Sequence, residues 1–214
     1  MTQTPSTQEV PNYTVNQVEF WEGIYHREEC PGWDIGQAAP PFVAYLDREK
    51  ASSSGKVAVI GCGRGNDVLL FAQRGFEVTA VDFSSSAIQA TRQQIEAAQL
   101  RVSLTQQDIF TLIESHPNTF DYVVEYTCFC AIDPDRRPEY VDLVHQILTP
   151  NGMLIAIFYL IPPDQGPPFG TTADEIRSLF SGRFEVVEMG VSPHSMERRA
   201  GKELFSLLKK TMII

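Results

Sequence analysis

The residue pattern with the clearest chemical meaning is the glycine-rich stretch VIGCGRGND, residues 59–67. Gly61, Gly63 and Gly65 let the backbone turn sharply and approach a ligand closely, because glycine has no side chain in the way. A dinucleotide-binding fingerprint has its third glycine three residues after the second, and Asn66 stands at that position. The spacing therefore disfavours an NAD(P)-dependent oxidoreductase, although glycines alone are a weak signal.

The even G-x-G-x-G spacing, followed by Asp67, resembles the first motif of S-adenosylmethionine (SAM) methyltransferases. SAM has no pyrophosphate, so its loop needs close backbone approach more than a ring of phosphate donors. The cofactor expected from this motif is SAM.

Two aspartates follow predicted strands. Asp82 lies 21 residues after Gly61, where a carboxylate can accept hydrogen bonds from both hydroxyls of a ribose. Asp108 ends the next strand, placed to meet an adenine amino group, with Ile109 beside it. Each aspartate could instead only cap the helix that follows it. The glycine loop and both aspartates fall at carboxyl ends of strands, where an open parallel sheet binds its ligand.

Such a sheet is predicted by the alternation of apolar and amphipathic segments. Predicted strands are KVAVIG, FEVTAVD, RVSLTQQD, FDYVVEY and MLIAIFYL, then FEVVEMGV and ELFSLLKK as a closing pair. Strands that alternate with helices indicate an α/β fold with a parallel sheet and helices on both faces. Asp133-Pro134 and the Thr172/Glu175 pair are typical helix starts.

Domain organisation follows from length and composition. Residues 1–14, rich in Thr, Gln and Pro, predict a disordered tail, and residues 15–214 predict one domain. Within it, residues 15–50 precede the first core strand and contain both tryptophans, Trp21 and Trp33.

The bulk numbers exclude several classes of function. A net charge of −10 without a basic stripe argues against a nucleic-acid partner, and no apolar run is long enough to span a membrane. The four cysteines, at 30, 62, 128 and 130, lack the spacing of a disulfide framework or a metal site, which favours reduced thiols. The N-terminus is unlike a signal peptide. We expect a cytoplasmic monomer without a metal, acting on a small molecule or an anion.

Four stretches carry a closer resemblance: WDIGQAAPPF, GCGRGND, FDYVVEYTCFCAIDPDRRPEY and GPPF. Together they resemble the thiopurine S-methyltransferase family, and within it the thiol/halide methyltransferases. The resemblance runs from about Phe20 to Lys210. The chain departs from the family's pattern at Ile60, where proline is frequent, and at Tyr25, where a second upstream tryptophan is usual.

This resemblance implies a Rossmann-like class I SAM-dependent methyltransferase, with a mostly parallel seven-stranded sheet and an antiparallel last strand. It also implies that residues 15–50 form a cap over the cofactor, with Trp21, Tyr25 and Trp33 as an aromatic roof. Tyr126 is expected at the cofactor and in the wall of the adjoining substrate pocket. An aromatic face beside a sulfonium cation is favourable by roughly 0.5–2 kcal/mol. The alternative, that the tryptophans simply pack into the core, stays open.

The implied substrates are soft nucleophiles such as a thiolate, bisulfide or a halide. These ions arrive charged, so no strong general base is required, and no catalytic residue is assigned. Rate would come from alignment with the methyl group and from removal of water. The expected pocket walls are Phe129, Tyr159, and Phe169 in the Pro167-Pro168-Phe169 loop. Arg137 matches a family arginine but could equally be a solvated helix residue, and His194 ranks lower.

Other functions remain possible on the sequence. A thiopurine-, selenium- or tellurium-directed detoxifying methyltransferase fits the same fold. A non-catalytic SAM-binding module is a more distant alternative, disfavoured by the intact aromatic cap. Nucleic-acid methylation is disfavoured by the acidic charge and by the lack of an Asn/Asp-Pro-Pro-Tyr/Phe signature after the fourth strand.

Overall fold

The computed structural model describes residues 13–28, 31–49, 54–162 and 166–212. Most of the predicted N-terminal tail, residues 1–12, lies outside the described residues, as do Cys30 and part of the SSSG loop. At the start of the described chain, Thr14 already makes a turn, since the Gln17 amide donates to its carbonyl at 2.9 Å.

One mixed sheet organises the molecule. Its strands are β1 (Lys56–Ile60), β2 (Glu77–Asp82), β3 (Ser103–Gln106), β4 (Phe120–Tyr126), β5 (Leu148–Tyr159), β6 (Phe184–Val191) and β7 (Glu203–Lys210). Their order is β3-β2-β1-β4-β5-β7-β6. Strands β1 to β5 pair in parallel, and β7 runs antiparallel to both β5 and β6. The predicted fold class, including the antiparallel last strand, is confirmed.

Seven α-helices surround the sheet within the described residues. They are α1 (Val18–Arg27), α2 (Pro40–Glu49), α3 (Asn66–Gln73), α4 (Ser85–Ala97), α5 (Leu112–Ser115), α6 (Arg137–Ile147) and α7 (Ala173–Phe180). Two apolar clusters result, one on each face of the sheet. Phe42 of α2 and Phe71 of α3 belong to one cluster, and Tyr140 of α6 and Phe180 of α7 belong to the other.

This two-sided burial explains the uninterrupted apolar strands. In β1, Val57, Ala58, Val59 and Ile60 are all buried, although they point alternately to opposite faces. Parallel strands covered by helices on both faces need apolar residues at successive positions rather than alternating ones.

Both predicted helix starts are used, with one difference. The Asp133 side chain accepts from the Asp135 amide at 3.1 Å, and the Thr172 hydroxyl accepts from the Glu175 amide at 3.1 Å. Glu175 bonds the Arg137 guanidinium and the Thr171 hydroxyl with its own side chain. Half of the predicted capping box therefore forms, and the other half is replaced by a tertiary contact.

Within the described ranges, no helix has both the length and the apolar character needed to cross a membrane.

Candidate functional site

A cavity of about 640 Å³ opens at the carboxyl ends of β1, β2, β4 and β5, beneath α1 and the segment that follows it. Of the predicted site residues, it is lined by Trp21, Tyr25, Trp33, Gly61, Gly63, Asp82, Asp108, Ile109, Tyr126 and Tyr159, together with Pro167 and Pro168. In the sheet order, β2 and β5 are three strand spacings apart, or about 14 Å. The cavity thus has two separate ends. We call them the glycine-loop end, at the carboxyl ends of β1 and β2, and the arginine end, at the carboxyl ends of β4 and β5 beside Arg199.

At the glycine-loop end, the close approach of Cys128 requires glycine at position 61. Its φ is +59°, and a Cβ there would lie 2.7 Å from the Cys128 sulfur, closer than any real contact. Gly65 has a different function from the one predicted, because it lies behind the cavity wall. A Cβ on Gly65 would lie 2.8 Å from a Thr91 methyl, so this glycine allows the loop to pack against α4.

Asp82 ends β2 with its side chain 8% exposed. One carboxylate oxygen accepts from the Gly63 amide and the other from the Ser84 amide, each at 2.9 Å. Burial raises the pKa of Asp82 to about 6, although these hydrogen bonds oppose the shift. The two amides fix the direction in which the carboxylate faces the cavity.

Asp108 begins a turn, as one interpretation of its position predicts, and also lies at the cavity. Its side chain accepts from the Phe110 amide at 3.0 Å and begins a 3-10 turn over Ile109–Thr111. The same residue also lines the cavity. Its role as a cap therefore leaves it accessible from the cavity.

The aromatic roof consists of Trp21, Tyr25 and Trp33. Trp33 meets Trp21 edge-to-face at 5.5 Å between ring centroids, and it meets Tyr25 at 5.7 Å. Trp21 is 9% exposed and donates from its indole nitrogen to the Val15 carbonyl at 2.8 Å. Neither tryptophan belongs to the two sheet clusters, so both pack over the cavity instead of in the core.

The segment after α1 docks on the glycine loop through two predicted motifs. The Asn66 side-chain amide donates to the Asp34 carboxylate at 2.9 Å, and the Ala39 backbone amide donates to the Asp67 carboxylate at 2.8 Å. Asn66 replaces the third glycine of a dinucleotide fingerprint, and this contact shows what it does. These hydrogen bonds fix the WDIGQAAPPF segment against the GND end of the glycine loop.

The arginine end is built around Arg199, a residue that sequence reasoning missed. Arg199 is 6% exposed and lines the cavity. Its guanidinium donates to the Tyr126 hydroxyl at 2.5 Å and to the Trp33 carbonyl at 2.7 Å, and it lies 3.5 Å from the Glu203 carboxylate. Tyr126 also donates to Glu203 at 2.8 Å. One buried cation thus joins the segment after α1, β4 and β7.

Four predicted pocket residues do not line the cavity: Phe129, Arg137, Phe169 and His194. Phe129 is 1% exposed and packs on Tyr140 and Phe158. The expectation that Phe129, Arg137 and Phe169 form the wall is wrong, because Phe129 and Arg137 are buried behind it and the pocket surface is formed by Pro167, Pro168, Cys128 and Cys130. His194 is exposed and lies outside the pocket.

Arg137 supports that wall from behind. It is 3% exposed, pairs with Glu175 at 2.5 Å, and donates to the Phe169 and Gly170 carbonyls at 3.2 and 3.1 Å. The alternative of a solvated helix residue is therefore wrong as well. Arg137 holds the loop that carries Pro167 and Pro168.

A second missed residue, Glu125, fixes the turn between β4 and α6. It is 1% exposed and accepts from the Phe129 amide at 3.0 Å and from the Tyr140 hydroxyl at 3.2 Å. Burial raises its pKa to about 8. An acidic residue directly after the apolar run YVV, residues 122–124, was a signal that could have identified it. Arg199 offered no comparable signal, since two of its partners, Tyr126 and Trp33, lie 73 and 166 residues away along the chain.

Three free cysteines, Cys62, Cys128 and Cys130, line the cavity. Burial raises the pKa of the Cys62 and Cys128 thiols well above their usual range and that of Cys130 to about 12. They are therefore neutral thiols at physiological pH. In the described part of the chain, no cluster of three or more His, Cys, Asp or Glu is arranged to hold a metal ion.

A family model described as thiopurine S-methyltransferase (TPMT) matches residues 16–211. The chain belongs to this family. As a member of the thiopurine S-methyltransferase family it is a SAM-dependent methyltransferase, as predicted from the glycine motif. The cavity described above is therefore the candidate site for SAM and its substrate.

Similar proteins cover nearly the whole chain. Thiocyanate methyltransferase 1 of Arabidopsis thaliana is 31% identical over 214 residues, covering 96% of this chain and 92% of that protein. Thiopurine S-methyltransferase of Pseudomonas aeruginosa (strain LESB58) is 23% identical over 188 residues, covering 81% and 86%. The fold matches that of 1,6-didemethyltoxoflavin-N1-methyltransferase from Burkholderia thailandensis, with a TM-score of 0.75, 20% identity, and 96% and 94% coverage.

Proposed function

We propose that this family member methylates small soft nucleophiles, namely thiols, bisulfide and halide ions. The observation that carries the proposal is the composition of the arginine end. Its surface consists of aromatic rings, prolines and thiols around one buried guanidinium, that of Arg199. The relatives named for thiocyanate and thiol methylation support the same class of nucleophile.

The residues at the glycine-loop end fit SAM. Asp82 presents a carboxylate whose direction two backbone amides fix, Gly61 lets the loop pack against Cys128, and Gly63 leaves the loop backbone bare. We propose the following cofactor site: Trp21, Tyr25, Trp33, Gly61, Gly63, Asp82, Asp108, Ile109 and Tyr126, with Gly65 shaping the loop. When bound, SAM supplies a methyl group on a positively charged sulfur.

The protein contributes positioning and exclusion of water. In this proposal residues 15–50 are the cap, and its aromatic roof closes the cavity above the glycine loop. Tyr159, Pro167 and Pro168 shape the space for the nucleophile, while Phe129, Arg137 and Phe169 hold that wall in place. The Glu203 carboxylate bonds Tyr126 and Arg199 through one oxygen and does not line the cavity, so it is not placed to act as a base on a nucleophile there.

The test is headspace gas chromatography of enzyme and SAM with iodide, bromide, chloride, thiocyanate and bisulfide. We expect volatile methylated products from the softer ions, with a bisulfide rate that rises with pH as the substrate ionises. Iodide turnover at saturating SAM should stay flat over the same range. A bell-shaped iodide profile would instead require an essential acid or base in the protein, and no product from any ion would overturn the proposal.

Methylation of a thiopurine is a second candidate, supported by the name of the Pseudomonas relative. The same enzyme preparation, assayed with a thiopurine by liquid chromatography, ranks the two candidates through their kcat/KM values.

We also propose that the protein acts as a monomer in the cytoplasm and without nucleic acid. The net charge of −10 and the free thiols of Cys62, Cys128 and Cys130 support this setting. Light scattering of the purified protein tests the monomer.

A further inference from the structure

Helix α1 is joined to the start of α4 by a single carboxylate, that of Glu22. One of its oxygens accepts from the Ser84 hydroxyl at 3.0 Å, the Ser85 hydroxyl at 2.9 Å and the Ser86 amide at 3.1 Å. The other oxygen accepts from the Ser86 hydroxyl at 2.5 Å. The serine run 84–86 therefore binds the cap in addition to starting a helix.

The chemistry of this contact favours a charged carboxylate. Burial alone would raise the pKa of Glu22, but the hydrogen bonds from Ser86, Ser85 and Ser84 outweigh it and lower the pKa to about 2. The amino end of a helix also attracts negative charge, because its first amides lack partners within the helix. The side chain is 17% exposed, so water competes only partly for these donors.

The contact lies between the two parts of the proposed cofactor site. Glu22 follows Trp21 directly and precedes Tyr25 by about one helical turn, so it sets where these rings lie. Its partner Ser84 donates its own amide to Asp82 at 2.9 Å. Glu22 does not itself line the cavity.

We propose that Glu22 is a positioning residue for the cofactor, which holds the aromatic roof over the glycine loop through the serine run 84–86. This inference rests on the proposed function, since it assumes that the cavity binds SAM. Glu22 acts through Trp21, Tyr25 and Ser84 and touches no reacting atom.

The test compares Glu22→Gln with Glu19→Gln, an exposed glutamate on the same helix. Glu22→Gln should weaken SAM binding about tenfold in calorimetry, the loss expected from a charge-assisted hydrogen bond network. The intrinsic fluorescence of the SAM-free variant should shift to longer wavelength, because both tryptophans lie in the roof. Glu19→Gln should match the wild type in both measurements.

Loss of these hydrogen bonds should lower the melting temperature without SAM, and a merely structural role would have no further effect, whereas a positioning role also changes the SAM affinity and the fluorescence of the folded variant. With saturating SAM, kcat for iodide should recover to within about twofold while the KM for SAM stays raised. Ser86→Ala tests the other side of the contact, and combined with Glu22→Gln it should add little further loss.

Equal SAM affinity and equal fluorescence for Glu22→Gln and Glu19→Gln would overturn the inference. That failure is distinct from failure of the proposed function, in which the wild type itself would bind no SAM or methylate no soft nucleophile.

Discussion

The two ends of the cavity are built in different ways. At the glycine-loop end, Gly61, Gly63 and Asp82 come from one short stretch of chain, and backbone amides set their geometry. At the arginine end, Arg199 contacts Trp33 and Tyr126 across separations of 166 and 73 residues, through side-chain hydrogen bonds. We infer that the first end is specified locally and the second only by the completed fold.

The arginine end should show the largest effect of a single substitution. Arg199→Met would leave the Glu203 carboxylate buried without its cation, at a cost of about 3–5 kcal/mol in the free energy of unfolding. Chemical denaturation measures this loss. Arg198→Met, in the same turn but exposed, should change stability by about 0.5 kcal/mol or less.

A second substitution makes that prediction sharper. Glu203→Leu in the Arg199→Met background removes the stranded charge and should recover part of the stability. If the double variant were less stable than Arg199→Met alone, the unpaired carboxylate would not be the cause.

The next largest effect is expected at the glycine-loop end. Asp82→Ala should weaken SAM binding by about 2–3 kcal/mol, since it removes a charged hydrogen-bond acceptor. Asp121→Asn is the control. Its carboxylate accepts a hydrogen bond from the Lys56 amide at the start of β1, at the end of the strands opposite to the cavity. Calorimetry showing NAD binding and no response to SAM would contradict the assignment of this end.

The same carboxylate should make SAM affinity depend on pH. The raised pKa of Asp82, about 6, means that the acceptor becomes protonated as pH falls through this value. Affinity should then fall by up to about tenfold for each further pH unit, or 1.4 kcal/mol. Asp82→Asn should bind weakly at every pH tested. A wild-type affinity that is constant between pH 5 and 8 would show that Asp82 does not receive the cofactor.

The smallest effect should appear in the wall behind the arginine end. Arg137→Lys keeps the charge but loses the fork that reaches both Glu175 and the Phe169 and Gly170 carbonyls. We expect the KM for iodide to rise about threefold, with the KM for SAM unchanged, because only Pro167 and Pro168 move. Arg177→Lys, exposed on α7, provides the matched control. Equal changes in both KM values would mean that the wall affects the whole cavity.

This contrast also explains what could be predicted from the sequence. The strands and the positions of Gly61, Gly63 and Asp82 follow from hydrophobic period and motif spacing, which are local properties. That the Phe129 and Arg137 side chains point away from the cavity could not be predicted in the same way. A strand end followed by a 3-10 turn changes the direction of each side chain, and only the contacts with Tyr140 and Glu175 decide it.

Glu22 and Arg199 were missed for the same physical reason. The Ser84–Ser86 donors of Glu22 lie more than 60 residues further along the chain, and a serine run before a helix already has a sufficient explanation as a cap. A residue whose partners are distant leaves no periodic pattern. Nothing in its own neighbourhood distinguishes it from a surface charge.

The three cavity thiols have a consequence for a protein that handles an alkylating agent. A thiolate attacks a methyl donor, whereas a neutral thiol is a poor nucleophile. Because burial keeps the pKa of Cys62, Cys128 and Cys130 high, their sulfurs stay protonated beside any methyl donor held in the cavity. We therefore expect an incoming substrate that is already an anion to react in preference to the protein's own sulfurs, which would protect the enzyme from self-alkylation.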